Sequence, residues 1–327
     1  MTESSLSGSP EIDVVITWVD GDHLSHRLQR EEHLANSNLV LHENAINPHR
    51  WTDNGELFYC LRSIENFAPW VRKIWIVVDA VVPSLSGLSD STLAKIDFVF
   101  HSELFAGIED VLPTFNSLAI ETMLWRIEGL TERFLYFNDD VFLAGPLKKE
   151  DMFIGEKIIL RGNWRNYSGL DNNPEIRADP ALFNHFMQIN AAKIVGFEAE
   201  NLFAAAHVVH PMRQSIMSNL FDRYTDIFLN NARYRFRDLN QFLPQTLHNL
   251  TCIADGSAII HEKKDHLHIH SGQGIGQPGD VMRAVLENAL LPEIKFLCVN
   301  DLPQLEAMVP EARDYIMRAT GEPRKTK

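Results

Sequence analysis

Four short apolar runs punctuate the first half of the chain, and none is long enough to be a buried helix. They occupy residues 12–19, 74–78, 96–100 and 134–137. Each is rich in β-branched or aromatic residues and is followed by polar or turn-forming ones, the pattern of a strand buried on both faces. Helix-like segments alternate with them. Residues 53–67 place Leu57, Leu61 and Ile64 on one face, and Asp53 with Glu56 three positions on reads as a capping box. Residues 117–127 carry Leu118, Ile120, Met123 and Leu124 at helical spacing, and 141–143 reads as a further short strand. The order β-α-β-β-α-β predicts an α/β core with a mostly parallel central sheet.

In such sheets ligands bind beyond the carboxyl ends of the strands. Three of these strands run into acid: Asp20, Asp79 and the pair Asp139-Asp140. One aspartate at a strand end is an ordinary turn residue. Three along one edge of one sheet point to a site.

The second half is predicted to be more helical. Residues 180–195, 212–229, 239–247, 281–290 and 303–318 have helix-like apolar spacing, with a His- and Gly-rich stretch at 251–278. A late strand at 295–299 ends in Asn300-Asp301. The expected organisation is a flexible lead-in at 1–10, an α/β half at 11–150, a helix-rich half at 151–320 that completes the site, and a frayed polar tail at 321–327.

Charge and composition narrow the function. With 44 acidic against 30 basic residues, the formal charge is −14. That argues against a nucleic-acid partner or a polybasic membrane-surface protein. No run approaches the roughly 20 apolar residues of a membrane helix. The first ten residues hold no apolar run, so no signal peptide is expected and the predicted location is cytoplasmic. Cys60, Cys252 and Cys298 are odd in number and far apart, which predicts reduced buried thiols, with a catalytic cysteine as the alternative.

Two adjacent carboxylates at a strand end, Asp139 and Asp140, can hold a hard divalent cation, and Asn300-Asp301 could complete the shell. Glu121 is either a supporting carboxylate or a solvated helix residue. His207 and His210 precede a segment with Arg213, Arg233, Arg235 and Arg237. Arginine forks suit phosphate and a histidine suits a general base, although a basic surface segment would look similar. His266, His268 and His270 alternate, as on a polar strand face; a zinc site is the alternative. There is no Gly-Lys-Ser/Thr phosphate loop and no Gly-x-Ser-x-Gly elbow.

These residues fall in blocks that resemble the Stealth-type sugar-phosphate transferases. Residues 12–21 form the first block. The second begins with Trp-Thr-Asp-Asn-Gly-Glu-Leu at 51–57 and runs through 61–65, 68–72, 112–117 and 119–121 to Phe-Asn-Asp-Asp at 137–140. His207 through Arg237 is the third, and Phe-Leu-Cys-Val-Asn-Asp at 296–301 the fourth. The resemblance implies a sheet of GT-A-like character and transfer of a sugar together with its phosphate. The donor is a UDP-sugar, typically UDP-GlcNAc or a related hexosamine. The acceptor is a hydroxyl of an oligo- or polysaccharide, and UMP leaves, in capsule or surface-polysaccharide synthesis. It further implies a divalent metal (Mg²⁺ or Mn²⁺) on Asp139, Asp140 and Asp301. Catalytic roles fall to His207 as base, Arg237 as phosphate clamp, and Asp140. Asp20, Asn54, Glu56, Arg62, Asn116 and Glu121 match positions near the donor, and the enzyme would associate peripherally with a capsule assembly complex at the inner membrane face. A GT-A-like glycosyltransferase releasing UDP and a silent glycan-binding scaffold are the competing readings. The chain departs from the pattern at His210-Pro-Met-Arg, at Asp238-Leu-Asn240 and at Val78-Asp79-Ala.

Overall fold

Residues 10–36, 41–46, 51–171 and 173–321 are described by the computed structural model. The lead-in expected at 1–10 and the tail at 321–327 therefore lie almost wholly outside the described residues. The strands are β1 (Ile12–Thr17), β2 (Ile74–Val78), β3 (Ile96–Phe100), β4 (Arg133–Asn138), β5 (Val141–Leu143) and β6 (Phe153–Ile154). They continue with β7 (Lys157–Arg165), β8 (Leu202–Ala205), β9 (His210–Arg213), β10 (Ala258–His261), β11 (His266–Ile269) and β12 (Phe296–Val299). The longer helices are α1 (Leu24–Asn36), α2 (Glu56–Phe67), α3 (Ser117–Met123), α4 (Phe183–Ile194) and α5 (Gln214–Arg223). After them come α6 (Thr225–Ala232), α7 (Pro244–Ala254), α8 (Gly279–Asn288), α9 (Leu302–Met308) and α10 (Ala312–Ala319).

The central sheet has the order β3-β2-β1-β4-β9. Its first four strands are parallel and β9 runs antiparallel to β4, so the expected α/β fold with a mostly parallel sheet is what forms. Alternation along β1 explains the layers. Val14 and Ile16 pack with Leu57, Leu61 and Ile64 of α2 on one face, while Val15 packs with Ile120 and Met123 of α3 on the other. Covering both faces of a strand demands an unbroken apolar run. Each such side chain contributes about 1.5–3 kcal/mol relative to exposure.

The one charge in β1 is clamped. Asp13 is 0% exposed and accepts hydrogen bonds from Arg72 Nε at 2.7 Å, Arg72 Nη2 at 2.6 Å, Trp75 Nε1 at 2.9 Å and the Thr131 N–H at 3.1 Å. These partners tie the entry of β1 to the starts of β2 and β4. A buried carboxylate survives there because its lone pairs are satisfied.

β1 is flanked by β2 on one side and β4 on the other, so the chain reverses direction across the sheet between β1 and β4. That places a crevice at their carboxyl ends. Beyond β4, Asp139 and Asp140 form a tight turn into β5, which belongs to a second sheet of order β11-β12-β5. The Val299 N–H donates to the Asp140 carbonyl at 3.0 Å, which brings the end of β12 alongside the turn.

Several boundaries differ from expectation. α2 starts at Glu56, with Gly55 at φ 83° as its N-cap, so Asp53 and Glu56 form no capping box. The left-handed turn suits glycine and displaces the start by one turn. The segment 212–229 is not one helix: Met212 lies in β9, and α5 and α6 meet at Tyr224. The helix expected at 239–247 is α7, which begins at Pro244, a residue preorganised for a first turn. The segment 303–318 breaks into α9 and α10 around Pro310, which cannot continue a helix. The second half also contains strands with no counterpart in the expectation: β6, β7, β8 and β10 build a further sheet. No helix among the described residues is long and apolar enough to cross a membrane.

Candidate active site

Four segments deliver the site. The turn after β4 supplies Asp139 and Asp140. His207 follows β8, Arg237 sits in the loop between α6 and α7, and Asn300-Asp301 follows β12. His207 Nε2 lies 3.9 Å from Asp140 Oδ1, an ion-pair distance too long for a hydrogen bond. The imidazole is 43% exposed although protein atoms crowd around it, as on the floor of an open cleft. Burial pulls its pKa down, but Asp140, aided by the charge of Glu121 and opposed by Arg237, holds it above the ordinary histidine value.

Arg237 donates from Nη2 to Ser117 Oγ at 2.6 Å. Burial lowers its pKa, and Glu121, Tyr136 and Asp140 counteract this. An arginine stays cationic under such a shift, so the guanidinium is a fixed positive charge in the field of the Glu121 and Asp140 carboxylates. Its loop is held by Asn116, which donates from Nδ2 to the Tyr234 carbonyl at 2.7 Å and to Gln241 Oε1 at 2.9 Å. Gln241 also accepts from the Asp238 N–H at 3.0 Å.

The carboxylates fit a hard cation. Asp140 Oδ1 is sealed from solvent and has no hydrogen-bond partner. Burial, then the charges of Asp140, Glu56 and Asp53, push the Asp139 carboxyl well above its usual range. The charges of Asp140, Asp139 and Asp301 all act on the Cys298 thiol. Asp301 takes a left-handed conformation (φ 57°), uncommon for a residue other than glycine, and its Oδ2 accepts from Ser271 Oγ at 2.8 Å. Asp140, His207 and Cys298 offer ligand atoms within 4.8 Å of one another. Burial keeps Cys298 a neutral thiol, so this group offers one carboxylate oxygen and one imidazole nitrogen, and the further oxygens that a hard cation requires would come from Asp139 and Asp301.

The other expected residues divide. Glu121 is buried, accepts from Gln245 Nε2 at 2.7 Å, and acts electrostatically on both His207 and Arg237. Glu56 accepts from the Asn54 N–H at 2.7 Å and from Asn54 Nδ2 at 2.9 Å, and its charge reaches Asp139. Asp20 accepts from the N–H groups of Asp22 and His23, and it also lines a cleft of about 600 Å³ with Trp18, Asp53, Gly55, Phe58 and Val82. Asp53 lines that cleft, and its charge acts on Asp139. Asn116 is 1% exposed and spends its side chain inside the protein, so it positions the Arg237 loop. Arg62 has a buried, unpartnered Nε, and its charge acts on Glu65. Asp79 lies 3.7 Å from His101 Nδ1, and the charge of His23 acts on it. Arg213 pairs with Glu132, and Arg235 donates to the carbonyls of Asp110, Val111 and Pro113. Burial forces the His210 pKa down to about 3.

One residue of the site carried no such assignment in the sequence. His268 sits on β11 with its ring 5.6 Å from that of His207. The alternating histidines assemble no zinc cluster among the described residues. The three cysteines are free and buried, and burial raises their pKa, Cys252 to about 12, which makes them poor nucleophiles.

Residues 50–160 match the family model described as Stealth protein CR2, conserved region 2. Exopolysaccharide phosphotransferase SCO6023 of Streptomyces coelicolor is 32% identical over 254 residues, 76% of this chain and 41% of that protein. Capsular polysaccharide phosphotransferase fcs1 of Haemophilus influenzae is 42% identical over 154 residues, 46% of this chain and 40% of that protein. The chain spans about half or less of the length of such relatives. Among solved structures, the galactosyltransferase LgtC is 12% identical, covers 96% of this chain and 98% of its own, and superposes with a TM-score of 0.44, too loosely to carry any inference.

Proposed function

The chain belongs to the Stealth family, and on that premise we propose that it transfers a sugar-1-phosphate from a UDP-sugar, typically UDP-GlcNAc or a related hexosamine, to a hydroxyl of a glycan acceptor. The single observation that carries this is the meeting of the Asp139-Asp140 turn, Asp301, His207 and Arg237 at one crevice. That combination offers a base, a fixed cation and a carboxylate cluster, which phosphoryl transfer needs and simple glycan binding does not.

The acceptor oxygen bonds to the β-phosphorus as its proton passes to an imidazole nitrogen of His207. The bond from that phosphorus to the bridging oxygen breaks, and UMP leaves with the electron pair. Asp140, beside the ring, favours the imidazolium that forms. Arg237, fixed by Ser117 and by the loop that Asn116 anchors, faces the charge on the transferred phosphate. Glu121, held by Gln245, keeps the guanidinium and imidazole in one field. A divalent ion held by Asp139, Asp140 and Asp301 would neutralise the diphosphate of the donor. The cleft lined by Trp18, Asp20 and Asp53 is the natural place for the nucleoside. On this reading residues 11–150 supply the donor half and 151–320 complete the site. The reaction runs in the cytoplasm with a capsule assembly complex.

A UDP-sugar carrying ³²P in its β-phosphate tests the proposal. Label should appear in the glycan, in a linkage that resists phosphatase. Label retained wholly in the nucleotide product would overturn it.

A further inference from the structure

Asn300 ties two parts of the cleft together. Its Nδ2 donates to Asp140 Oδ2 at 2.5 Å, and its Oδ1 faces His268 Nε2 at 2.5 Å. A carboxylate only accepts, so the amide cannot flip, and its oxygen must meet the imidazole. His268 Nε2 therefore carries a hydrogen. The remaining nitrogen, Nδ1, has no hydrogen-bond partner among the described residues, and His268 is an exposed residue. The backbone around it is pinned: Gln273 Nε2 donates to the His268 carbonyl at 3.1 Å, and the His270 N–H donates to Gln273 Oε1 at 3.1 Å.

We propose that His268 is an acceptor-sugar subsite: Nδ1 accepts a hydrogen bond from a hydroxyl of the acceptor glycan, and Asn300 is the positioning residue that sets its tautomer. The inference rests on the reaction proposed above. Two observations support it. The ring stands next to His207, the proposed base, so a hydroxyl held by His268 lies beside the group that takes the proton. The donor-side carboxylates lie across the Asn300 amide from His268, so Asn300 sits on the line between the two substrates.

The test uses the full chain with UDP-GlcNAc and a panel of methyl glycosides of glucose, galactose, mannose and N-acetylglucosamine. His268→Gln keeps an Nε2-like donor for Asn300 and loses the Nδ1 acceptor. It should raise the acceptor KM at least tenfold while the donor KM stays within twofold. His268→Asn, which keeps an acceptor near the Nδ1 position, should recover part of the loss. ¹⁵N spectra of histidine-labelled protein should show the Nε2–H tautomer of His268, lost in Asn300→Ala. An unchanged acceptor KM in His268→Gln, an equal rise in donor KM, or an Nδ1–H tautomer would overturn the inference. Absence of UMP from the wild type with every acceptor would instead count against the underlying reaction, leaving the tautomer result to judge the Asn300 assignment.

Discussion

Asn300 Nδ2 donates to Asp140 Oδ2 at 2.5 Å across 160 positions of sequence, joining the end of β12 to the end of β4. Two sheets thus share one polar junction. The carboxylate turn leaves the central sheet, the Asn300-Asp301 pair leaves the small sheet, and His207 closes the group from β8.

Removing Asp140 should abolish most turnover without unfolding the protein. Asp140→Asn keeps a side-chain oxygen to accept from Asn300, Asp140 Oδ1 has no hydrogen bond to lose, and Asp139 repels the carboxylate. Asp140→Asn is expected to lower kcat/KM by about 10²–10³-fold, the usual range for a lost electrostatic group. Circular dichroism and thermal melting should show wild-type folding. A fall in activity that merely follows a fall in Tm would assign Asp140 a structural role.

Arg237→Lys should behave as a severe change. A lysine cannot reproduce the planar fork that reaches Ser117 while facing the phosphate. A loss of about 10²-fold or more in kcat is expected, with the acceptor KM little altered. Steady-state kinetics with both substrates varied would show this, and near wild-type kcat would remove Arg237 from the reaction.

Chelation should eliminate donor affinity. The carboxylates are clustered in a chain of charge −14, and without a cation they repel a diphosphate. Calorimetric titration with the UDP-sugar should give heat in Mg²⁺ or Mn²⁺ and none in excess EDTA. Equal binding in both would contradict the cation assignment.

Much of this was legible in the chain. Residues 74–78 and 141–143 coincide with β2 and β5, because a strand buried on both faces is written as an uninterrupted apolar run, and 96–100 coincides with β3, an edge strand whose Asp97 is exposed. Asp139-Asp140 was legible for the same reason, as the polar end of such a run. The strand β7 was not, since Arg161 and Gly162 interrupt its apolar pattern and Asn163, Trp164 and Arg165 are exposed. The alternation of His266, His268 and His270 marked a strand but not its neighbours. His268 enters the site only through the pairing of β11 with β12, a long-range register that no local pattern encodes. The capping box read at Asp53 failed because Gly55 adopts a conformation that local spacing does not reveal.

The buried pair of Asp265 and Arg161 should govern the acid limb of stability. Arg161 Nε and Nη2 both donate to Asp265, at 2.8–3.0 Å, and a cation–π contact sets Arg161 over Phe296. Burial would raise the Asp265 pKa, but His266, 3.6 Å away, and the hydrogen bonds from Arg161 outweigh it and hold the carboxyl well below the usual range. The folded pKa is depressed, so the stabilisation is complete above the unfolded value of about 3.9 and is lost as pH falls through the folded one. Asp265→Asn should cost about 3–5 kcal/mol at pH 7. The gap from wild type should persist to about pH 5 and shrink only below about pH 4. Urea unfolding at several pH values would measure it, and a gap that closes between pH 7 and 5 would refute the assignment.

Asp13→Ala should destabilise the fold without touching chemistry. It orphans Trp75 Nε1 and the Thr131 N–H and leaves Arg72 with the Gly129 carbonyl and the more distant Glu11 at the entry of β1. A loss of about 3 kcal/mol or more is expected, read as a lower urea midpoint with an unchanged slope.

The most direct measurement is the nucleotide product. Incubating the protein with UDP-GlcNAc, Mg²⁺ and an acceptor glycan and resolving the nucleotides separates attack at phosphorus from attack at the sugar carbon. UMP released in step with glycan labelling is the predicted result. UDP as the sole nucleotide would contradict sugar-phosphate transfer and make the protein a glycosyltransferase.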